Sequence, residues 1–139
     1  MASFNKFQPF VENLAEKVFN LGADTLKVLL TNSAPAAANG VKSDLTEISS
    51  GNGYTAGGAT ASISSSAQTS GTYKLVLGDV TITASGGSIG PFRYAVLYDD
   101  TAASDQLIGW WDYGSSITLA DGETFTVDYD ATTGVLTIA

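Results

Sequence analysis

The sequence predicts a mainly β protein, an antiparallel β-sandwich of jelly-roll type that carries one N-terminal α-helix. Three observations lead there. From about residue 25 onward the apolar residues fall in short runs rich in β-branched and aromatic side chains. Clusters of Gly, Asp, Ser and Asn separate those runs at regular intervals. Helical spacing occurs in one stretch near the N-terminus and nowhere else. At 139 residues the chain has the length of one domain, and 1–139 is read as a single unit.

The helix is expected over about 9–21. Pro9 suits a first helical position, Phe7, Val11, Leu14, Val18 and Leu21 recur at helical spacing, and Gly22 offers a left-handed stop. Glu12, Asn13, Glu16, Lys17 and Asn20 fill the opposite side, so one stripe is expected to dock while the other is solvated.

"DTLKVLLTN" (24–32) reads as the first strand and runs into the turn-prone "SAPAAANG". The region 33–72 is poor in large apolar residues, with a short turn or strand expected around 44–48. Its Ser-rich run "ATASISSSAQTSGT" reads either as an edge strand with hydroxyls on a wet face or as an arm that orders on a partner. In "YKLVLGDVTITA" the apolar phase slips at Gly78, as a bulge or tight bend requires. "PFRYAVLYD", "ETFTVDYD" and "VLTIA" supply further alternating strands, making seven or eight in all.

Charge and composition exclude several functions. The chain carries 14 acidic and 6 basic residues, a formal charge of −8, and its few cations are scattered. Nucleic-acid binding needs clustered cations to displace counterions from phosphates, so no nucleic-acid partner is expected. No apolar run approaches the ~20 residues of a membrane span, and the N-terminus lacks a signal-peptide core, so no membrane partner is expected.

Histidine and cysteine are absent, which removes the common general bases, thiol nucleophiles and soft metal ligands. A carboxylate pair could still serve a glycosidase, but Glu12, Glu16, Glu47 and Glu123 show no convergent arrangement. No enzymatic activity, cofactor or metal is expected. Asp128 and Asp130 share a strand face, yet Thr133 and Ala139 stand where a calcium loop needs Gly and Glu, so that segment reads as a hairpin turn. The acidic "YDDTAASD" reads as a solvated loop.

What remains is surface contact. Alternation in "LIGWWDY" puts Trp111 with Leu107 and Tyr113 on one face and Trp110 with Ile108 and Asp112 on the other. The second face is the better candidate for an apolar patch kept for another subunit, although a covering loop or helix would account for it equally. Arg93, the only arginine, lies between Phe92 and Tyr94; it pairs with a carboxylate or anchors an interface. The candidate interface residues are therefore Trp110, Ile108, Arg93, Phe4 and Phe7 by the helix, and Tyr54 in its glycine-rich loop.

"LTNSAPAAAN", "DLTEISSGNGYTAGGA" and the C-terminal stretch from "GPFRYAVLYDD" to "GVLTIA" resemble the capsid cement, or head decoration, proteins of short-tailed bacteriophages. The likeness extends from the helix to the last strand. It implies a sandwich or jelly-roll subunit that adds to the outside of an icosahedral head, clamps neighbouring copies of the major capsid protein, and assembles with itself as a homodimer or homotrimer. The implied location is the capsid exterior of the virion, and the host cytoplasm during assembly. It assigns no binding residue. A tail or fibre component is the structural alternative, and a carbohydrate-binding module using exposed aromatics is the alternative from another class.

Overall fold

The computed structural model describes residues 2–139. The described residues form ten strands and one α-helix: β1 (Phe4–Lys6), α1 (Pro9–Ala15), β2 (Leu26–Thr31), β3 (Ala59–Ala61), β4 (Ile63–Thr69), β5 (Thr72–Leu77), β6 (Val80–Thr83), β7 (Ile89–Asp99), β8 (Leu107–Leu119), β9 (Thr124–Val127) and β10 (Leu136–Ile138). All strand pairs are antiparallel. A five-stranded sheet runs β1-β8-β7-β2-β3, a three-stranded sheet β10-β5-β4, and β6 pairs with β9.

The large sheet buries both faces. On the first, Leu26, Val28, Ala95, Leu97, Ile108 and Trp111 join Leu75 and Leu77 of β5, Val80 and Ile82 of β6, and Val127 of β9 in the main core. On the second, Leu29, Val96, Tyr98 and Leu107 form a smaller cluster with Phe7. Double-sided burial is why "KVLLT" and "YAVLYD" are almost continuously apolar rather than cleanly alternating.

The segment between β2 and β3 follows the β2 edge and serves both faces: Leu45 packs on the second cluster, while Ile48 and Tyr54 pack into the main core. β3 pairs only with Leu26–Val28, leaving the rest of the β2 edge open. The following loop takes over: Ile48 N–H donates to the Leu30 carbonyl at 3.1 Å, and Leu30 N–H donates to the Tyr54 hydroxyl at 3.0 Å. Nearer β8, Lys42 N–H reaches the Asp105 carbonyl and Leu107 N–H the Gly40 carbonyl, both at 3.0 Å, while Leu45 packs on the cluster. A 3₁₀ turn at Lys42–Asp44 stands just ahead of the expected turn or strand, and a single bridge, Thr31 to Glu47, forms within it.

The helix is shorter than its periodicity predicts, ending at Ala15 rather than near 21. Lys17 adopts φ +67°, Val18 N–H donates to the Asn13 carbonyl at 2.9 Å, and Lys17 N–H donates to that of Leu14 at 3.4 Å. That is the Schellman pattern, with lysine in the left-handed position expected of Gly22. The docked face changes accordingly. Phe10 is buried and stacks on Phe19 at 5.4 Å, whereas Val11, assigned to the docking stripe, is 51% exposed.

The Ser-rich run forms strand, with β4 at the edge of its sheet and most of its side chains exposed. Gly78 stands at the predicted slip, where the chain leaves β5 and turns into β6; its N–H donates to the Ser62 carbonyl at 2.8 Å.

Candidate contact surface

The paired tryptophans do not alternate as the sequence suggests. Leu97 pairs with Gly109 and Tyr98 with Leu107, so Ile108 is an extra residue in β8. This bulge shifts the phase by one. Leu107 and Trp110 consequently face the second cluster, and Ile108 and Trp111 the main core. Ile108 is fully buried and offers nothing to a partner, a correction to its place beside Trp110. Trp110 is half-buried, with its ring 4.5 Å from that of Phe7. Trp111 lies between Phe4 at 5.2 Å and Tyr129 at 5.4 Å. Both faces are covered, the reading that alternation left equally open.

Phe7 is fully buried and Tyr54 nearly so, which removes both from the surface. Phe7 is held between the loop and β8: its N–H donates to the Ile108 carbonyl, and Gln8 N–H donates to that of Ala37. Tyr54 acts as a pin. Its hydroxyl donates to Glu47 Oε1 at 2.9 Å while accepting from Leu30, and the Glu47 carboxylate also accepts from Gly57 N–H. Burial pushes the Tyr54 hydroxyl far above its ordinary pKa, so it stays a donor at any physiological pH.

Arg93 is half-exposed and already engaged. Its guanidinium forks onto Asp112, Nε to Oδ1 at 2.8 Å and Nη2 to Oδ2 at 3.0 Å, and lies 5.3 Å from the Tyr94 ring. The bidentate hydrogen bonds from Arg93, with Gly114 N–H adding another, hold the Asp112 carboxyl below the ordinary carboxylate range. In the C-terminal turn, Asp130 accepts from Thr132 and Thr133 N–H, the local pattern expected of a hairpin turn.

"YDDTAASD" departs from a solvated loop in one residue. Asp99 is fully buried; its Oδ1 accepts from Thr101 and Ala102 N–H, and its Oδ2 has no hydrogen-bond donor among the described residues. Burial, reinforced by the neighbouring Asp24 carboxyl, pushes the Asp99 pKa up to about 7.

Phe4 is the one aromatic candidate beside an open apolar surface. Gly109 makes room for its ring, since a Cβ there would meet Phe4 Cε2 at 2.1 Å. Phe4 then forms one wall of a groove of about 420 Å³, with Val11 and Leu14 of α1 on one side and Leu136 and Ile138 of β10 on another. Val11 and Ile138, at 51% and 43%, are the large apolar side chains left exposed among the described residues. Leu14 and Ile138 also line an adjoining groove of about 550 Å³ that continues past Val18 and Phe19 to Tyr73. Sequence reasoning pointed to Phe4 and the helix but missed Val11 and Ile138, because it placed Val11 in the docked stripe and took the last strand as ordinary.

No protein-family model, curated protein or solved structure matches the chain. No helix among the described residues is long and apolar enough to cross a membrane.

Proposed function

We propose that this chain is a structural virion protein that binds the outer surface of an icosahedral phage head and stabilises it by bridging major capsid protein subunits. The observation that carries the reading is the open apolar groove between α1, β1 and β10, where Val11 and Ile138 stay exposed while every other large apolar side chain described is at least partly buried. Contiguous apolar surface of this kind marks a place where another macromolecule sits. The sequence likeness to cement proteins supplies the partner. We also read the facing sheets as a sandwich of jelly-roll type, the arrangement that likeness implies.

Such a role needs modest contacts repeated over many copies rather than one tight site. A charge of −8 suits a basic patch on the shell and discourages adventitious binding to nucleic acid. A carbohydrate-binding module is less well supported, because Trp110 packs on Phe7 rather than standing free as a stacking platform. The test is co-sedimentation of the purified protein with expanded, undecorated heads, with unexpanded shells as the control. Saturable binding to expanded heads at a simple ratio to shell protein is the expected result. No binding by the folded protein would move the reading to a tail or fibre component.

A further inference from the structure

We infer that β4 is a docking edge for a second copy of this chain, which pairs antiparallel with it across a two-fold axis to join the two β10-β5-β4 sheets into one six-stranded sheet. The inference names the surface behind the self-association in the reading above, and it needs no capsid as partner.

The backbone supplies the first argument. Ser70 and Gly71 both have positive φ, 50° and 85°, so β4 and β5 are joined by a two-residue turn of type I′ and Thr69 opposite Thr72 is a hydrogen-bonded pair. Antiparallel alternation then turns the N–H and C=O groups of Thr69, Ala67 and Ser65 toward β5. Those of Ser66 and Gln68 point away from it, and among the described residues they meet no hydrogen-bond partner. The side chains leave this edge clear, since the Ser66 hydroxyl is held by that of Tyr73 at 2.8 Å and Gln68 Oε1 accepts from Gly71 N–H.

Edge strands are ordinarily blunted by shortness, a proline or a charge. The other sheet ends are short: β1, β3 and β10 have three residues each, β1 carries Lys6, and β6 and β9, the two edges of the remaining sheet, have four each. β4 reads ISSSAQT and carries neither a charge nor a proline; its one irregularity, a bulge between Ile63 and Ser65, lies at its start and leaves Ser65–Thr69 as a regular edge longer than any of the others.

Charge selects the occupant. Two copies, each at −8, repel one another over most of their surfaces, and they can approach where neither is charged. No residue from Ile48 to Tyr73 is ionisable in the neutral pH range, so β4 itself carries no charge, and Lys17 and Asp24, which share a groove with Ser66, are of opposite sign. Pairing one seven-residue strand buries little area, so the free dimer belongs at the weak, micromolar end and gains strength when copies are held close together.

The experiment is sedimentation equilibrium of the full chain over a micromolar to submillimolar range. It compares wild type with Ser65→Lys/Ala67→Lys on the exposed face of β4, and with Thr124→Lys/Thr126→Lys on exposed positions of β9 as the charge-matched control. Both pairs bring the net charge two units closer to zero from −8, which by itself favours association. The expected result is a monomer–dimer equilibrium for wild type, an equal or tighter dimer for the β9 variant, and at least a tenfold weaker dimer for the β4 variant with an unchanged far-ultraviolet spectrum. A wild type that stays monomeric, a trimer, or a dimer indifferent to the β4 lysines would overturn the inference. Binding of the β4 variant to heads, measured separately, reports on the shell reading alone.

Discussion

Two apolar clusters flank the N-terminal segment, and they are finished in opposite ways. Phe7 and Trp110 belong to a cluster covered by Leu45 of the loop between β2 and β3, and the Tyr98 hydroxyl of that cluster donates to the carbonyl of Gly57, whose N–H is held by Glu47. Three residues earlier, Phe4 opens onto Val11 and Ile138, with no chain segment laid across them. The difference teaches that this chain has the means to cover an apolar surface and leaves one uncovered beside it. The closed cluster is therefore assigned to stability and the open one to contact.

The largest expected effect falls on the closed side. Phe7→Ala removes a fully buried ring and should cost about 3–5 kcal/mol in urea unfolding. A loss of under about 1 kcal/mol would show that the cover does not seal. Next is Glu47→Ala, which strips the Tyr54 hydroxyl and the Gly57 N–H of their acceptor and should cost about 1–3 kcal/mol. Amide exchange should quicken first at Ile48 and Gly57; uniform acceleration across the sheet would mean that the pin belongs to the core instead.

Asp99 lies at the boundary. It follows Tyr98 of the closed cluster, and Thr101 and Ala102, whose N–H groups it accepts from, line the adjoining groove. Its folded pKa of about 7 stands above the ordinary 3.8, so between those values the folded chain keeps a proton that the unfolded chain releases. This contribution is complete below about pH 4 and is lost as the pH rises through 7. Asp44, Asp112 and Asp130 act in the opposite sense, being held low and losing their contribution as the pH falls through their lowered folded values. The unfolding midpoint should therefore drop from pH 5 to pH 8, and Asp99→Asn should flatten that slope. An unchanged slope would place the titration elsewhere.

The smallest effect on stability belongs to the open side. Val11→Lys with Ile138→Lys should shift unfolding by no more than about 0.5 kcal/mol per site, because both side chains are already exposed. A loss comparable to that of Phe7→Ala would erase the distinction between the clusters.

Much of the β architecture was legible because each long strand carries its own pattern: "DTLKVLLTN", "PFRYAVLYD" and "ETFTVDYD" all appear close to where they were expected. The Ser-rich edge strand was legible from its hydroxyls and small residues. β1 was not, since three residues hold no period, and Phe4–Lys6 is a strand only because β8 pairs with it. Ile108 was misplaced because strict alternation was carried straight through Gly109, the glycine that flanks the bulge, and a bulge reverses the phase of every residue on one side of it. Phe4 by the helix was legible as a contact candidate, whereas the exposure of Val11 beside it was hidden for a related reason. The stripe through Val11 presumes a helix reaching Leu21, and a left-handed lysine ends that helix two turns early.

The most direct measurement is co-sedimentation with expanded heads of three proteins: wild type, Val11→Lys/Ile138→Lys, and Trp110→Ser. Saturable binding by wild type and Trp110→Ser, with loss of binding by the folded double variant, is the predicted result. Undiminished binding by the double variant would contradict the assignment of the open groove to the shell.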